Sequence, residues 1–162
     1  MVDWFCTTTG ASGHTGVDEA NAFDLAEAIS EINSGALGWV DGDRMNLKDN
    51  AGFSTTGINI TNLGALTTYS QLEGYTDSPG DGGKATIQLS SGVNHLLIIP
   101  RYWTAKNFIL DGNSNGGNCL QTHSRNIIWN IEAKNASARG SGGGGVFINC
   151  YLHNNGTYGG HA

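Results

Sequence analysis

The spacing of apolar residues predicts one helix, near the start of the chain. Between residues 18 and 32 the apolar positions recur at intervals of three and four, which places on one helical face Phe23, Leu25, Ala26, Ile29 and Ile32. Asn21 and Asp24 are suited to cap its first turn, and Gly35 is suited to end it. A short strand is predicted before it, within residues 3–9, and a Gly-, Ser- and Thr-rich loop joins the two.

After Gly38 the apolar pattern changes from a helical period to alternation. Met45 and Leu47 alternate with polar residues, as do Ile58 and Ile60, and turn-forming residues separate the runs. From there on, no stretch has convincing helical periodicity. The rest of the chain is therefore predicted to consist of strands and turns.

The second half of the chain repeats itself. Residues 107–113, 130–136 and 149–155 read NFILDGN, NIEAKNA and NCYLHNN, and they align without gaps at steps of 23 and then 19 residues. Alternation along a strand predicts two inward columns, Phe108/Ile131/Cys150 and Leu110/Ala133/Leu152. Stacked asparagines, expected to face outward or to lie at corners, can then hydrogen-bond from one repeat to the next at Asn107, Asn130 and Asn149.

A strand-and-turn repeat of about 20 residues predicts a β-solenoid, because each repeat can bury its apolar side chains only against its neighbours. The opening strand, the loop, the amphipathic helix, GDRMNLK at 42–48, LEGYTDSPGDGGKATI at 72–87 and the repeats resemble the N-terminal part of right-handed parallel β-helix proteins of the pectin-lyase-like superfamily. This resemblance spans nearly the whole chain. It implies that the helix caps one end of the solenoid.

The expected fold class is therefore all-β: a right-handed parallel β-helix with an N-terminal capping α-helix and an open C-terminal end. Residues 1–162 are expected to form one domain, with the strand and capping helix in 1–40 and the coils in 41–162. The chain ends soon after the third repeat, so we expect a fragment of a longer solenoid, or an end that another chain covers. An open strand edge seeks partners, which predicts a homo-oligomer through the C-terminal coil.

Charge and apolar content narrow the classes of partner. The 8 Lys and Arg residues face 14 Asp and Glu residues, for a net charge of −6, which argues against a binder of nucleic acid or of anionic membrane surfaces. No apolar run approaches the ~18 residues needed to span a bilayer, and the first residues lack the basic and apolar regions of a signal peptide.

The three cysteines, Cys6, Cys119 and Cys150, do not have the spacing of a zinc site. Buried thiols are therefore expected, with one disulfide as the alternative.

The superfamily includes polysaccharide lyases, glycoside hydrolases, adhesins and phage tail spikes. The resemblance therefore implies an extracellular, cell-surface or virion location and a polysaccharide or cell-surface glycan as partner. Our leading hypothesis is a module that engages carbohydrate without a clear catalytic site. The alternatives are a polysaccharide lyase acting by β-elimination on an acidic polysaccharide, a glycoside hydrolase, and a purely structural assembly module.

Outward positions of the repeats supply the candidate binding residues, which are Asp111, Glu132, Lys134, Tyr151, His153 and Trp129. Trp103 and Tyr102 are further candidates for stacking on a sugar ring. The resemblance to polysaccharide lyases implies a basic residue that removes a proton, and the catalytic candidates are Arg125, Lys134 and Glu132. No cofactor is expected except possible Ca²⁺ at Asp77 and Asp81, where turn formation explains the same carboxylates.

Overall fold

The computed structural model describes residues 1–49, 51–92 and 95–156. One α-helix is present in this part, α1 (Leu25–Ser34), together with a short 3-10 helix over Glu19–Asn21. The strands, in chain order, are β1 (Asp3–Thr7), β2 (Arg44–Lys48), β3 (Phe53–Thr55), β4 (Ile58–Asn59), β5 (Ser70–Tyr75), β6 (Ala85–Leu89), β7 (His95–Ile98), β8 (Trp103–Asp111), β9 (Asn118–Gln121), β10 (Ile127–Lys134), β11 (Ser141–Gly142), β12 (Val146–Ile148) and β13 (Tyr151–His153).

The strands form two parallel sheets. The larger sheet has nine strands in the order β1-β2-β5-β8-β10-β12, with β13 also paired to β10 and with β3 and β6 attached through β8. The smaller sheet has four strands in the order β11-β9-β7-β4. One continuous apolar core includes Leu47 of β2, Leu72 of β5, Leu97 of β7 and Leu110 of β8. Both sheets therefore contribute to a single core.

The expected fold class is wrong. The described residues form a mixed α/β fold of 13 strands in two parallel sheets with one α-helix, and they do not close into a solenoid. Within the described residues the smaller sheet has only four strands, and β4 and β11 have two residues each, so the repeats do not build a second face along the whole of the larger sheet. The phage-tail-spike interpretation rested on that solenoid and is wrong with it. The fold carries no evidence for carbohydrate binding, so any functional argument must rest on the residues of a site.

The repeat itself predicted the strand register. Phe108 pairs with Ile131, Leu110 with Ala133, and Ala133 with Leu152, as the alignment required. Cys150 is partly buried and packs against the core. The inward columns are therefore confirmed where their pairing is described, although the repeated strands belong to an α/β fold.

The helix begins and ends where its capping residues are. Asp24 accepts a hydrogen bond from the backbone N–H of Glu27 at 2.8 Å, and Gly35 adopts a left-handed φ of 63° that ends the helix. The predicted helical pattern from residue 18 starts too early, because Asp18 caps the separate 3-10 turn instead. No helix in the described ranges is long and apolar enough to span a membrane.

All three cysteines are free thiols, as expected, with Cys6 and Cys119 buried. Burial raises the pKa of Cys119 to about 11 and raises that of Cys6 further.

The last strands of the larger sheet expose apolar side chains. At the end of the sheet opposite β1, Val146, Ile148 and Tyr151 are exposed on β12 and β13. Residues 157–162, which the self-association hypothesis includes, lie outside the described residues, and that hypothesis stays a prediction.

Candidate functional site

An asparagine ladder crosses the larger sheet. The Nδ2 group of Asn130 donates to Oδ1 of Asn107 at 2.9 Å, and Nδ2 of Asn149 donates to Oδ1 of Asn130 at 3.3 Å. All three residues have left-handed backbones, with φ of 64°, 54° and 51° for residues 107, 130 and 149. Asparagine is among the few residues other than glycine that tolerate this conformation. The predicted ladder is therefore confirmed, and it marks a left-handed kink within β8, within β10 and between β12 and β13.

The kink changes which side chains face the core. Along β8, Trp103 and Ala105 are buried before Asn107, and Phe108 and Leu110 are buried after it. One extra residue is thus inserted into the alternation, as in a β-bulge. The polar side chains on either side of the ladder consequently remain on the outer face of the sheet.

A groove of about 310 Å³ lies beside the ladder. Its lining residues come from three strands, one loop and the ladder itself: Glu73, Gly80, Gly82, Lys106, Asn107, Trp129, Asn130 and Asn149. The strand register places Glu73, Lys106 and Trp129 side by side on β5, β8 and β10. Trp129 is 51% exposed, whereas the other three tryptophans, Trp4, Trp39 and Trp103, are buried.

A buried carboxylate anchors this groove. Glu73 is 1% exposed, and its Oε2 lies 2.9 Å from Nζ of Lys106 and 3.0 Å from Nη1 of Arg44. Arg44 also holds Asp3, through Nε at 2.6 Å, and this hydrogen bond keeps the pKa of the Asp3 carboxyl below its ordinary value. The row Asp3–Arg44–Glu73–Lys106 contains two charges of each sign and has no formal net charge.

The structure brings four of the sequence-predicted residues together at a different place. Glu132 Oε1 lies 3.1 Å from Nζ of Lys134 and 3.2 Å from Nε2 of His153, whose ring stacks on Tyr151 with centroids 4.5 Å apart. Partial burial would raise the pKa of Glu132, but its contacts with His153 and Lys134 lower it overall. Trp129 lies in the groove instead of this cluster.

Asp111 lies beside Lys134 in the strand register, as expected, whereas Arg125 does not join these residues. Asp111 Oδ1 accepts hydrogen bonds from the Asn113 backbone and from Asn135 Nδ2. Arg125 contacts Tyr102 and precedes β10, which Lys134 ends. At roughly 3.3 Å per residue, the nine steps from Arg125 to Lys134 place their backbones up to about 30 Å apart. Arg125 and Lys134 therefore cannot act on the same reacting group.

Asp81 organises a turn. Its carboxylate accepts hydrogen bonds from the backbone N–H groups of Thr76, Asp77, Ser78 and Gly83 and from the Thr76 hydroxyl. The slight burial raises its pKa, but these hydrogen bonds outweigh it and bring the pKa well below the ordinary value. Asp77 contributes its N–H to this turn. Within the ranges that the structure describes, no three His, Cys, Asp or Glu side chains are grouped to hold a metal ion, and Ca²⁺ at Asp77 and Asp81 stays a prediction.

Sequence reasoning missed the partners of Trp129. Lys106 lies one 23-residue repeat before Trp129, so extending the repeat by one position would have paired them. Glu73 and Arg44 precede the recognised repeats, and no sequence signal connected them to the groove. Trp103, proposed for sugar stacking, is fully buried and is not available to a ligand.

No protein-family model matches this sequence, and no curated protein matches it. The family relationship suggested by the motifs therefore stays an expectation.

Proposed function

We propose that the chain is a carbohydrate-binding module and that the groove beside Trp129 is its binding site. The observation that carries this proposal is the placement of one exposed tryptophan next to a ladder of side-chain amides and an ion pair. Aromatic faces supply apolar contact to a sugar ring, and polar groups beside them fix its orientation.

The ladder retains unused hydrogen-bonding groups. Each side-chain amide has two N–H donors and an oxygen with two lone pairs, and each link of the ladder uses one donor and one lone pair. Asn130 and Asn149 therefore each keep an N–H donor that is not used by the ladder. Sugar hydroxyls both donate and accept, so they match such a surface.

The charge of the site favours a neutral saccharide. Lys106 is already paired with Glu73, which in turn is paired with Arg44. Among the residues that the structure describes, the groove thus presents no unpaired cation to a ligand carboxylate, which is what an acidic polysaccharide would require. The separation of Arg125 from Lys134 likewise favours binding over β-elimination. An extracellular, cell-surface or virion location is compatible with this function and remains part of the proposal.

Intrinsic fluorescence tests the proposal directly, because Trp129 is the exposed member of the four tryptophans. Cellohexaose, mannohexaose and chitohexaose would be titrated into the protein, and at least one should give a saturable blue shift. Trp129→Ala should abolish binding measured by calorimetry. Tyr151→Ala is the matched control, because its ring is 64% exposed and lies outside the groove.

Two results would refute the proposal. One is the absence of saturable binding by any of these oligosaccharides. The other is equal binding by wild type and Trp129→Ala. Release of unsaturated, ultraviolet-absorbing products from polygalacturonate would instead favour the lyase alternative, and Arg125→Ala and Lys134→Ala would then identify the base.

A further inference from the structure

A second surface is formed where the chain enters β8 and β10. We call it the Tyr102 corner, and it consists of Leu63, Pro100, Arg101, Tyr102 and His123, which line a cavity of about 340 Å³, together with Arg125. None of the six lines the Trp129 groove. The corner is therefore a separate surface from the Trp129 groove.

The backbone of the corner is strained at two large residues. Tyr102 and Arg125 have φ of 66° and 70°, in the left-handed region. The other non-glycine residues with positive φ in the described part of the chain are asparagines and Ser114. Left-handed conformation is costly for large side chains, and such strain is concentrated at ligand-binding positions.

Packing holds these two side chains rigidly against each other. Arg125 Nη1 donates to the Tyr102 hydroxyl at 3.1 Å, and its guanidinium carbon lies 5.6 Å from the Tyr102 ring centroid. Tyr69 packs edge-on against the same ring at 6.1 Å. A Cβ on Gly64 would lie only 2.2 Å from the carbonyl oxygen of Tyr102, so the neighbouring chain segment is packed tightly beneath it. A ligand would therefore meet a preformed surface.

Two arginines of the corner form no ion pair within the described part of the chain. Arg44, Lys48, Lys106 and Lys134 each form an ion pair with a carboxylate. Arg101 and Arg125 are exposed, and no described carboxylate pairs with either. In a chain of net charge −6, this leaves a local excess of positive charge beside His123.

The same corner also exposes apolar side chains. Leu63 is 61% exposed, and Leu66 is exposed to the same extent at the turn that follows. Apolar area beside unpaired cations is complementary to an apolar residue flanked by carboxylates. A sugar fits less well, because aliphatic side chains replace an open aromatic face and because Arg125 already covers the Tyr102 ring.

We propose that the Tyr102 corner docks an acidic, apolar peptide segment of a partner protein. The apolar residue of that segment contacts Leu63 and Pro100, and its flanking carboxylates pair with Arg101 and Arg125. Electrostatic attraction between exposed groups is screened by salt, so the interaction weakens as ionic strength rises.

The test uses the full chain and a fluorescein-labelled peptide in which Asp or Glu alternates with Leu and Phe. Fluorescence anisotropy should show saturable binding at low salt. The matched peptide with Asn and Gln in place of the acids should bind at least about tenfold more weakly, since it lacks the charge-assisted contacts. Raising the salt to 0.5 M should bring the two peptides to similar affinity.

Arg125→Gly separates binding from folding, because glycine accepts the left-handed backbone while removing the cation. It should weaken binding of the acidic peptide at least about tenfold without lowering the thermal midpoint. Arg101→Gln should also weaken binding. Arg139→Gln makes the same charge change at an exposed arginine outside the corner and should bind as wild type does.

Four results would overturn the proposal. The first is that the acidic peptide binds no better than its amide counterpart. The second is that Arg125→Gly and Arg139→Gln have equal effects. The third is that Trp129→Ala abolishes peptide binding, which would place the peptide in the groove. Loss of oligosaccharide binding by Arg125→Gly would equally overturn it, because the corner would then belong to the glycan site.

Discussion

Glu73 is a buried carboxylate that depends on two cations. Removing its side chain would leave Lys106 without its carboxylate partner and Arg44 with Asp3 as its remaining partner. Breaking a buried ion pair by removing one partner costs about 3 kcal/mol or more. Glu73→Ala should therefore lower the free energy of unfolding by about that amount in a urea titration.

The matched change for Glu73 is Lys106→Met, which keeps the aliphatic stem and leaves Arg44 to neutralise Glu73. It should lower the unfolding free energy less than Glu73→Ala does. The reverse order would mean that Arg44 does not compensate Glu73 as its 3.0 Å contact indicates.

The reactivity of each cysteine tests whether its thiol is buried in the core. Only the thiolate reacts with iodoacetamide, and burial keeps Cys119, with a pKa of about 11, and Cys6 protonated. At pH 8 the native protein should be labelled at Cys150, the one partly exposed thiol, while urea-unfolded protein should be labelled at all three. Mass spectrometry of tryptic peptides gives the count. Rapid labelling of native Cys119 would show that its strand opens readily.

At the scale of the strand, Asn130 has two separable roles. Its backbone is left-handed, and its amide links Asn107 to Asn149. Asn130→Gly keeps the backbone conformation and removes both hydrogen bonds, whereas Asn130→Ala also forces an unfavourable φ. We expect the free energy of unfolding of Asn130→Ala to be about 1 kcal/mol lower than that of Asn130→Gly, as measured by urea titration. Equal stability would show that the left-handed backbone at residue 130 does not penalise alanine.

Substitutions at two neighbouring residues of β10 test the strand register. Ile131 is 2% exposed, so Ile131→Asp would bury an unpaired charge and prevent folding. Glu132 lies on the outer face, and its ion pairs with Lys134 and His153 are partly solvated. Glu132→Ala should change the unfolding free energy by no more than ~0.5 kcal/mol. Circular dichroism of both variants checks the contrast, and similar effects would contradict the register.

At the scale of the whole molecule, stability should fall in acid. The pKa values of Asp3 and Glu132 are lowered in the native state, from ordinary values of 3.8 and 4.5. The unfolded chain therefore binds protons first, and the stability these carboxylates contribute is present above those ordinary values and lost as the pH falls through the native ones. Urea midpoints should be similar at pH 7 and 5.5 and lower at pH 3. Asp3→Asn should make that decrease smaller, and an unchanged decrease would show that Asp3 does not contribute.

Local structure was largely determined by sequence over short distances. Asp24 and Gly35 set the limits of α1 because capping and left-handed φ are properties of those residues and their immediate neighbours. The repeat determined the pairing of β8, β10 and β13, because burying equivalent apolar residues together permits only one register. The asparagine ladder follows from the same register.

The fold class and the groove depended on contacts between distant segments. Alternating apolar residues specify which face of a strand is buried, but they do not specify how many strands each sheet collects, so two sheets of nine and four strands were not predicted. Glu73 comes from a strand that precedes the recognised repeats, and only the parallel pairing of β5 with β8 places it in line with Lys106 and Trp129. Their ionic and aromatic groups interact through space, so the candidate site was decided by the tertiary structure.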